Sequence, residues 1–264
     1  MMDISVIERF KNGEGLKGIC IKDSHMHIGR IYHLPFCSDT DTMTKDMKRF
    51  SITEGLISCI LKYNEREPEN DYVLQTVQKY AGILKGQIFF SPTVHGDPRE
   101  MVEKYFKTGL FRGIKIHPEI NGLPADHKGY YPLYEIAGFY GLPVLLHTWT
   151  LNNDILPVAK LAAEFPDTVF VMGHMGGKEQ ACFEACLDIV KKYDNVYADT
   201  ALSWSYPGRL EYAVNKVSSE KILFGSDANW NSMPASLARV LYAKISCSQM
   251  EHILYRNYDR LYGA

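Results

Sequence analysis

The feature that most constrains this chain is an alternation that runs almost its whole length: an apolar run of strand length, a stretch with helical spacing, then another apolar run. Parallel strands joined by helical crossovers are what such an alternation encodes. Eight runs are present: GICIKDSHMH ending at His27, EGLISCI around Ile57, GQIFFSPTV around Phe89, FRGIKIHP ending at Pro118, LPVLLHTW ending at Trp149, TVFVMGHMGG ending at Gly177, NVYADT ending at Thr200, and KILFGSD ending at Asp227. Helical spacing occupies 42–50, 71–80, 98–108, 131–140, 155–164, 179–193 and 209–217. Asp97-Pro98 and Asn153-Asp154 precede helical runs as caps, and Gly141 closes one. Eight strands with helical crossovers fit a closed (β/α)₈ barrel. An open doubly wound sheet is the alternative, but no glycine-rich phosphate fingerprint follows the first strand.

A chain of 264 residues has the length of one such barrel, so a single domain over 1–264 is expected. Residues 234–264 read as two or three extra C-terminal helices packed on the outside of the barrel. With 29 basic and 31 acidic residues the formal charge is −2, which draws the chain neither to nucleic acid nor to an anionic membrane. A small-molecule partner is expected. No apolar run approaches a membrane span or a signal peptide, which favours the cytoplasm. The six cysteines are too few and scattered for a disulfide framework, and Cys182 with Cys186 makes a poor zinc site without a second ligand pair. Oligomeric state stays open, a homo-oligomer included.

Polar residues recur where predicted strands end: His25 and His27 on the first, His147 on the fifth, His174 on the sixth and Asp227 on the eighth. In a barrel that edge is where active sites are built, because groups from separate strands converge over the axis. Side chains alternate along a strand, so His25 and His27 share one face and can grip one ion. A catalytic zinc site takes about three imidazole or carboxylate ligands and keeps a position open for water. An isolated HxH pair often makes only local hydrogen bonds; joint occurrence on four strand ends gives it weight.

The set resembles the amidohydrolase superfamily, and within it the amidohydrolase-2 branch of metal-dependent hydrolases and nonoxidative decarboxylases. The resemblance runs from Ile19 to Gly263 and is carried by DSHMHIG at 23–29, FRGIKIHP at 111–118, YPLYEIAGFYGLPVLLHT at 131–148, VMGHMGG at 171–177, NVYADTA at 195–201 and LFGSD at 223–227. It implies His25, His27 and His147 as metal ligands, Asp227 as ligand or general base, and His174 as a histidine facing substrate. The segment ILYRNYDRLYG departs from the usual family ending, where a small residue follows the Asn; packed outside the barrel, it would leave the site untouched.

Lys115 and His117 lie two apart on strand four and can both face the barrel mouth. Lys115 would bind a substrate carboxylate or, carboxylated as in some superfamily members, bridge two metals; His117 would orient substrate or water, or bond to a nearby loop. Trp149, Trp204 and Trp230 follow strands five, seven and eight and would form an aromatic wall for an apolar or ring-containing substrate. Arg30 can fork onto a substrate carboxylate or make a surface ion pair. His33, His95, His127 and His252 are expected to be surface or locally bonded.

Three functions follow as expectations. The first is hydrolysis of an amide, ester or lactone by water activated on a divalent metal, with Asp227 moving the proton and His174, with Lys115 or His117, stabilising the carbonyl oxygen. The second is metal-dependent nonoxidative decarboxylation of an aromatic or unsaturated acid. The third, from a different class, is an inactive relative that binds small molecules. Zinc is the expected ion, one per chain, with two if Lys115 is carboxylated; manganese, iron and cobalt accept the same ligands.

Overall fold

The structure is a computed structural model that describes residues 8, 10, 12, 19–29, 39–60, 69–201 and 206–263. Eight parallel strands follow one another around a single sheet: β1 (Ile21–His27), β2 (Ile52–Ser58), β3 (Leu84–Phe89), β4 (Phe111–Ile116), β5 (Val144–His147), β6 (Phe170–Gly173), β7 (Val196–Asp199) and β8 (Ile222–Leu223). The sheet closes on itself just past β8. Ser24 N donates to Phe224 O at 2.9 Å, Asp227 N to His25 O at 2.8 Å, and Met26 bridges Ala228. This is a TIM barrel, as the alternation predicts.

The crossover helices are α1 (Thr40–Arg49), α2 (Glu69–Lys79), α3 (Pro98–Phe106), α4 (Tyr131–Tyr140), α5 (Leu156–Glu164), α6 (Gln180–Lys192) and α7 (Arg209–Val217). Their ends obey local chemistry. Asp97 accepts Arg99 N with Pro98 opening α3, and Gly141 ends α4 at φ 63°, a left-handed conformation glycine adopts without a Cβ clash. Their inner faces meet the outward side chains of the strands. Phe170 and Met172 on β6, for example, join Leu187 and Val190 of α6 in the main core.

Several strands stop earlier than the apolar runs suggest, each for a visible reason. β4 ends at Ile116 because His117 and Pro118 turn the chain into a one-turn helix, Pro118–Asn121. β5 ends at His147. Asp154, expected as a forward helix cap, instead reaches back: its carboxylate accepts Trp149 N at 2.8 Å and Thr150 N at 2.9 Å and folds the intervening turn. β6 ends at Gly173, since His174 (φ 63°) and Met175 (φ 46°) take left-handed backbone in a 3₁₀ turn.

The C-terminal segment corrects one expectation. Past α8 (Met233–Leu241), α9 (Cys247–Glu251) and a π turn lead to α10 (Asn257–Tyr262). α10 does not lie on the barrel's outer face. Tyr258 and Tyr262, 1% and 3% exposed, join the inward-facing Leu56, Leu145, Val171 and Leu223 in a small core separate from the main one. Those residues lie on β2, β5, β6 and β8 below the polar strand ends, so α10 forms the floor of the barrel. Asn257 fixes it there through Nδ2, which donates to Ser219 O and Ile222 O at 2.8 and 2.7 Å. The tyrosine where a small residue is usual therefore fills the barrel beneath the site.

Candidate active site

At the opposite, C-terminal end of the strands five imidazoles, three buried carboxylates and an ammonium are packed together. His25 and His27 project inward from the end of β1, with their Nε2 atoms 3.1 Å apart. Gly173 and Gly225 make room for His25: a Cβ on Gly225 would come within 2.9 Å of His25 Cβ, and one on Gly173 within 3.2 Å of His25 Cε1. Asp227 enters from beyond β8 with backbone φ 61°, an arrangement that costs a non-glycine residue about 1–3 kcal/mol and recurs at functional sites. Its Oδ1 lies 3.2 Å from His27 Nε2 and 3.7 Å from His25 Nε2. The other oxygen accepts Asn231 Nδ2 at 2.6 Å.

The hydrogen bonds fix the tautomers. His25 Nδ1 faces Asp199 Oδ2 at 2.7 Å, and a carboxylate oxygen can only accept, so Nδ1 carries the proton and Nε2 is the acceptor. Ser58 Oγ, 3.1 Å from His27 Nδ1, allows His27 the same tautomer. Asp227 Oδ1 is buried without a hydrogen-bond donor. One ligand atom each from His25, His27 and Asp227 lies within 4.8 Å of the others, and two imidazoles with a carboxylate are ligands a divalent cation accepts. The donor set fits a divalent metal. Lys115, fully buried on β4, donates Nζ to His25 Nε2 at 3.0 Å and brings positive charge to the same place.

His147 and His174 form a second layer. His174 Nδ1 lies 3.1 Å from Ala201 O, a pure acceptor, so Nδ1 bears the proton and Nε2 accepts. Across from Nε2, at 2.9 Å, is His147 Nδ1, which must then be the donor. That leaves His147 Nε2 bare; it is buried, without a hydrogen-bond partner, and 3.7 Å from Glu119 Oε2. His117 stacks face to face on His147, centroids 3.8 Å apart, while its Nδ1 accepts Ile120 N at 3.3 Å as the cap of the one-turn helix. His147, expected with His25 and His27, has Nδ1 on His174 and lies with His117 and Glu119, one ligand atom from each within 4.8 Å.

Burial sets the charge states. It holds the imidazoles of His25, His117 and His147 well below the ordinary histidine value and brings His174 to about 4. It pushes the carboxyls of Asp23 and Asp199 up to about 7 and brings Lys115 down to about 8. Asp227 goes the other way. Burial raises it, but the hydrogen bond from the adjoining His27 and the neighbouring His174 and Lys115 outweigh that and hold it below the usual carboxylate range.

Of the expected aromatic wall, Trp230 stacks on the His27 ring at 3.9 Å and Trp149 lies 5.9 Å from His147. Trp204 and Arg30, like His33 and Cys37, lie outside the described residues. His95 is locally bonded, accepting Ser91 N, and so are His127 and His252. Among the described residues no cysteine is in a disulfide. Among the described residues no helix is long and apolar enough to cross a membrane.

The sequence profile of the amidohydrolase family matches residues 60–264. The chain belongs to this family. No curated protein sequence matches it. Among solved structures it is similar to an uncharacterised TIM-barrel protein from Bordetella bronchiseptica, at 18% identity over 92% of this chain and 98% of that one, TM-score 0.73. It is also similar to a 5-carboxyvanillate decarboxylase from Sphingomonas paucimobilis, at 15% identity over 93% and 99%, TM-score 0.73. A third is a dihydroxybenzoic acid decarboxylase from a Polaromonas species, solved with manganese and 2-nitroresorcinol, at 15% identity over 93% and 97%, TM-score 0.71. At such identities these likenesses speak for the fold of this amidohydrolase-family chain.

Residues that sequence reasoning passed over complete the cluster. Asp199 ends β7 as His147 ends β5, so the strand-end rule reaches it; its Oδ1 also accepts His174 N and Ala201 N. Ser58 is found only through register, since it pairs with His27 across β1 and β2. Glu119 and Asn231 sit on turns, where no periodicity marks them.

Proposed function

We propose that the protein is a metal-dependent hydrolase of a carbonyl-type bond, an amide, ester or lactone, in a small molecule. The observation that carries this reading is the placement of Asp227: one oxygen accepts Asn231 Nδ2, and the other lies 3.2 Å from His27 Nε2 and 3.7 Å from His25 Nε2. A carboxylate placed beside these imidazoles can take the proton of a water bound there, which hydrolysis needs at its first step.

His25, His27 and Asp227 would hold the ion. A divalent ion there supplies a Lewis acid and lowers the pKa of water toward neutrality. Asp227 accepts the water proton and returns it to the leaving group. Lys115, a buried cation at the cluster, offers charge to a carbonyl oxygen as it turns negative. His174, with both nitrogens engaged, orients His147 and the β6 turn. Asp199 fixes the His25 tautomer from behind, and Trp149 and Trp230 lay apolar rings against His147 and His27. Zinc and manganese both suit the donor set.

A second reading, nonoxidative decarboxylation of an aromatic or unsaturated carboxylic acid, is favoured by Trp230 stacked on His27 and by the decarboxylases among the structural neighbours. One experiment separates the two. The metal-loaded protein is offered a panel of esters, lactones, amides and hydroxylated benzoates, with acid release and carbon dioxide both followed. Acid release that disappears in Asp227→Asn supports hydrolysis. Carbon dioxide without water consumption replaces it with the second reading, and binding without turnover of either kind points to a catalytically inactive relative.

A further inference from the structure

Between the start of α7 and the end of α8 lies a cavity of about 230 Å³. Met175 and Thr200, the residues that follow His174 and Asp199, form part of its wall. Two arginines, Arg209 and Arg239, line it together with Tyr206, Leu210 and Tyr242. We propose that this cavity binds a small organic oxyanion, an aromatic body with one carboxylate or phosphate head, at a site separate from the His25, His27 and Asp227 trio.

Arg209 is 8% exposed. Its Nη1 and Nη2 donate to Lys178 O and Gly177 O, its guanidinium lies 3.9 Å over the Phe183 ring, and its Nε is buried without a hydrogen-bond partner. Among the described residues no carboxylate pairs with it. A buried cation held only by carbonyl oxygens and a ring keeps uncompensated charge, and an anion in the adjoining space relieves that cost. The start of α7 acts in the same direction. Gly208 caps that helix with no side-chain acceptor, so the positive end of the helix is left open to an anion. Arg239 brings a second cation, held in place by Nη2, which donates to Thr200 O at 2.9 Å and Ser236 Oγ at 3.3 Å. Against these stands the carboxylate of Glu211, also in the lining, whose Oε1 accepts Lys244 N at 2.8 Å.

The rest of the lining selects the body of the ligand. Tyr206 and Tyr242 are 60% and 47% exposed, so two large rings stand at the cavity with much of their surface uncovered. A cavity of about 150 Å³ holds benzene, and the larger volume here takes one ring with its charged head. A guanidinium fork matches the planar carboxylate or the phosphate oxygens of that head. An inorganic ion would meet the arginines alone; an aromatic anion meets the rings as well. None of the proposed metal ligands takes part, so the site stands or falls apart from the proposed reaction.

The test is titration calorimetry with benzoate, phenyl phosphate, inorganic phosphate and benzyl alcohol, on zinc-loaded and chelator-stripped wild type and on Arg239→Gln and Leu210→Glu, each checked for folding by circular dichroism. The expected result is binding of benzoate or phenyl phosphate that survives removal of metal and exceeds that of inorganic phosphate and benzyl alcohol. It should weaken about tenfold or more in each variant, the worth of one hydrogen bond to a charged group. The tighter of the two aromatic anions names the head. Leu210→Glu puts a carboxylate into the cavity and leaves both arginines in place, so it reports even where Arg239→Gln fails to fold. No binding of either aromatic anion overturns the proposal. Binding that is lost with the metal and unchanged in both variants also overturns it, since the ligand then sits at the metal centre, and leaves the proposed trio standing. Inorganic phosphate or benzyl alcohol binding as tightly as the aromatic anions overturns it as well.

Discussion

Tyr262 offers the sharpest check on how the barrel is built. Its ring is 3% exposed and packs with Tyr258, centroids 5.1 Å apart, and with Leu56, Leu145, Val171 and Leu223 in the floor. Truncating a buried aromatic side chain to alanine costs about 3–5 kcal/mol, part lost transfer energy and part cavity. The hydroxyl does not share in that. Tyr262 OH is buried without a hydrogen-bond partner, and such a group carries a desolvation cost of about 1–3 kcal/mol. Tyr262→Phe should therefore be neutral or stabilising while Tyr262→Ala is strongly destabilising. At about 2–4 °C per kcal/mol for a chain of this size, the alanine variant should melt about 6–20 °C lower. Urea denaturation followed by tryptophan fluorescence, with thermal melting alongside, measures both; Phe139→Ala, at a 78% exposed position, is the control. A loss below about 1 kcal/mol in Tyr262→Ala, the size of an ordinary substitution, would refute the floor.

Asp227→Asn should lower turnover about a hundredfold or more, the contribution of a positioned proton acceptor, and wild-type rates would remove Asp227 from that role. Saturating zinc or manganese should raise the melting temperature, with about 2.7 kcal/mol gained at a hundredfold excess over Kd, and His27→Asn should blunt the rise. Asp154 has a folded-state pKa pushed to about 6 by burial, so between about pH 4 and 6 the folded state holds an extra proton; stability from this group is greatest below that window and falls as pH rises through it. Asp154→Asn should flatten the slope, read from denaturation midpoints at pH 4 and pH 7, and an unchanged slope would assign it to other groups. Gly225→Ala should disturb His25 through its 2.9 Å approach and reduce metal content, which elemental analysis would show.

The barrel was legible because its evidence is redundant: each apolar run and helical stretch repeats the same statement, so errors of two or three residues at strand ends do not matter. Those errors had local causes that periodicity does not carry. Asp154 folding back on Trp149 and the left-handed backbone of His174 are set by single hydrogen bonds and single dihedrals. His25, His27 and Asp227 were readable as strand-end polar residues and come together. His147 was readable as a residue but not in its neighbours, since which ring nitrogen is free depends on Ala201 O across the barrel. The floor was invisible because tyrosines at 258 and 262 look the same in sequence whether they cap a surface helix or fill a core.

The position of α10 also bears on how this protein comes off the ribosome. A barrel built strand after strand could begin to compact while the chain is still emerging, but this one lacks its floor until residues 257–262 are out, and its first strand lacks a neighbour until the segment around Asp227 arrives. Through most of synthesis Leu56, Leu145 and Val171 face an open, wet interior, and the unpaired edge of β1 waits beside them. Contacts closed over such long sequence separations form late and slowly. A truncated product lacking the last turn of helix should therefore be cleared by proteolysis rather than accumulate.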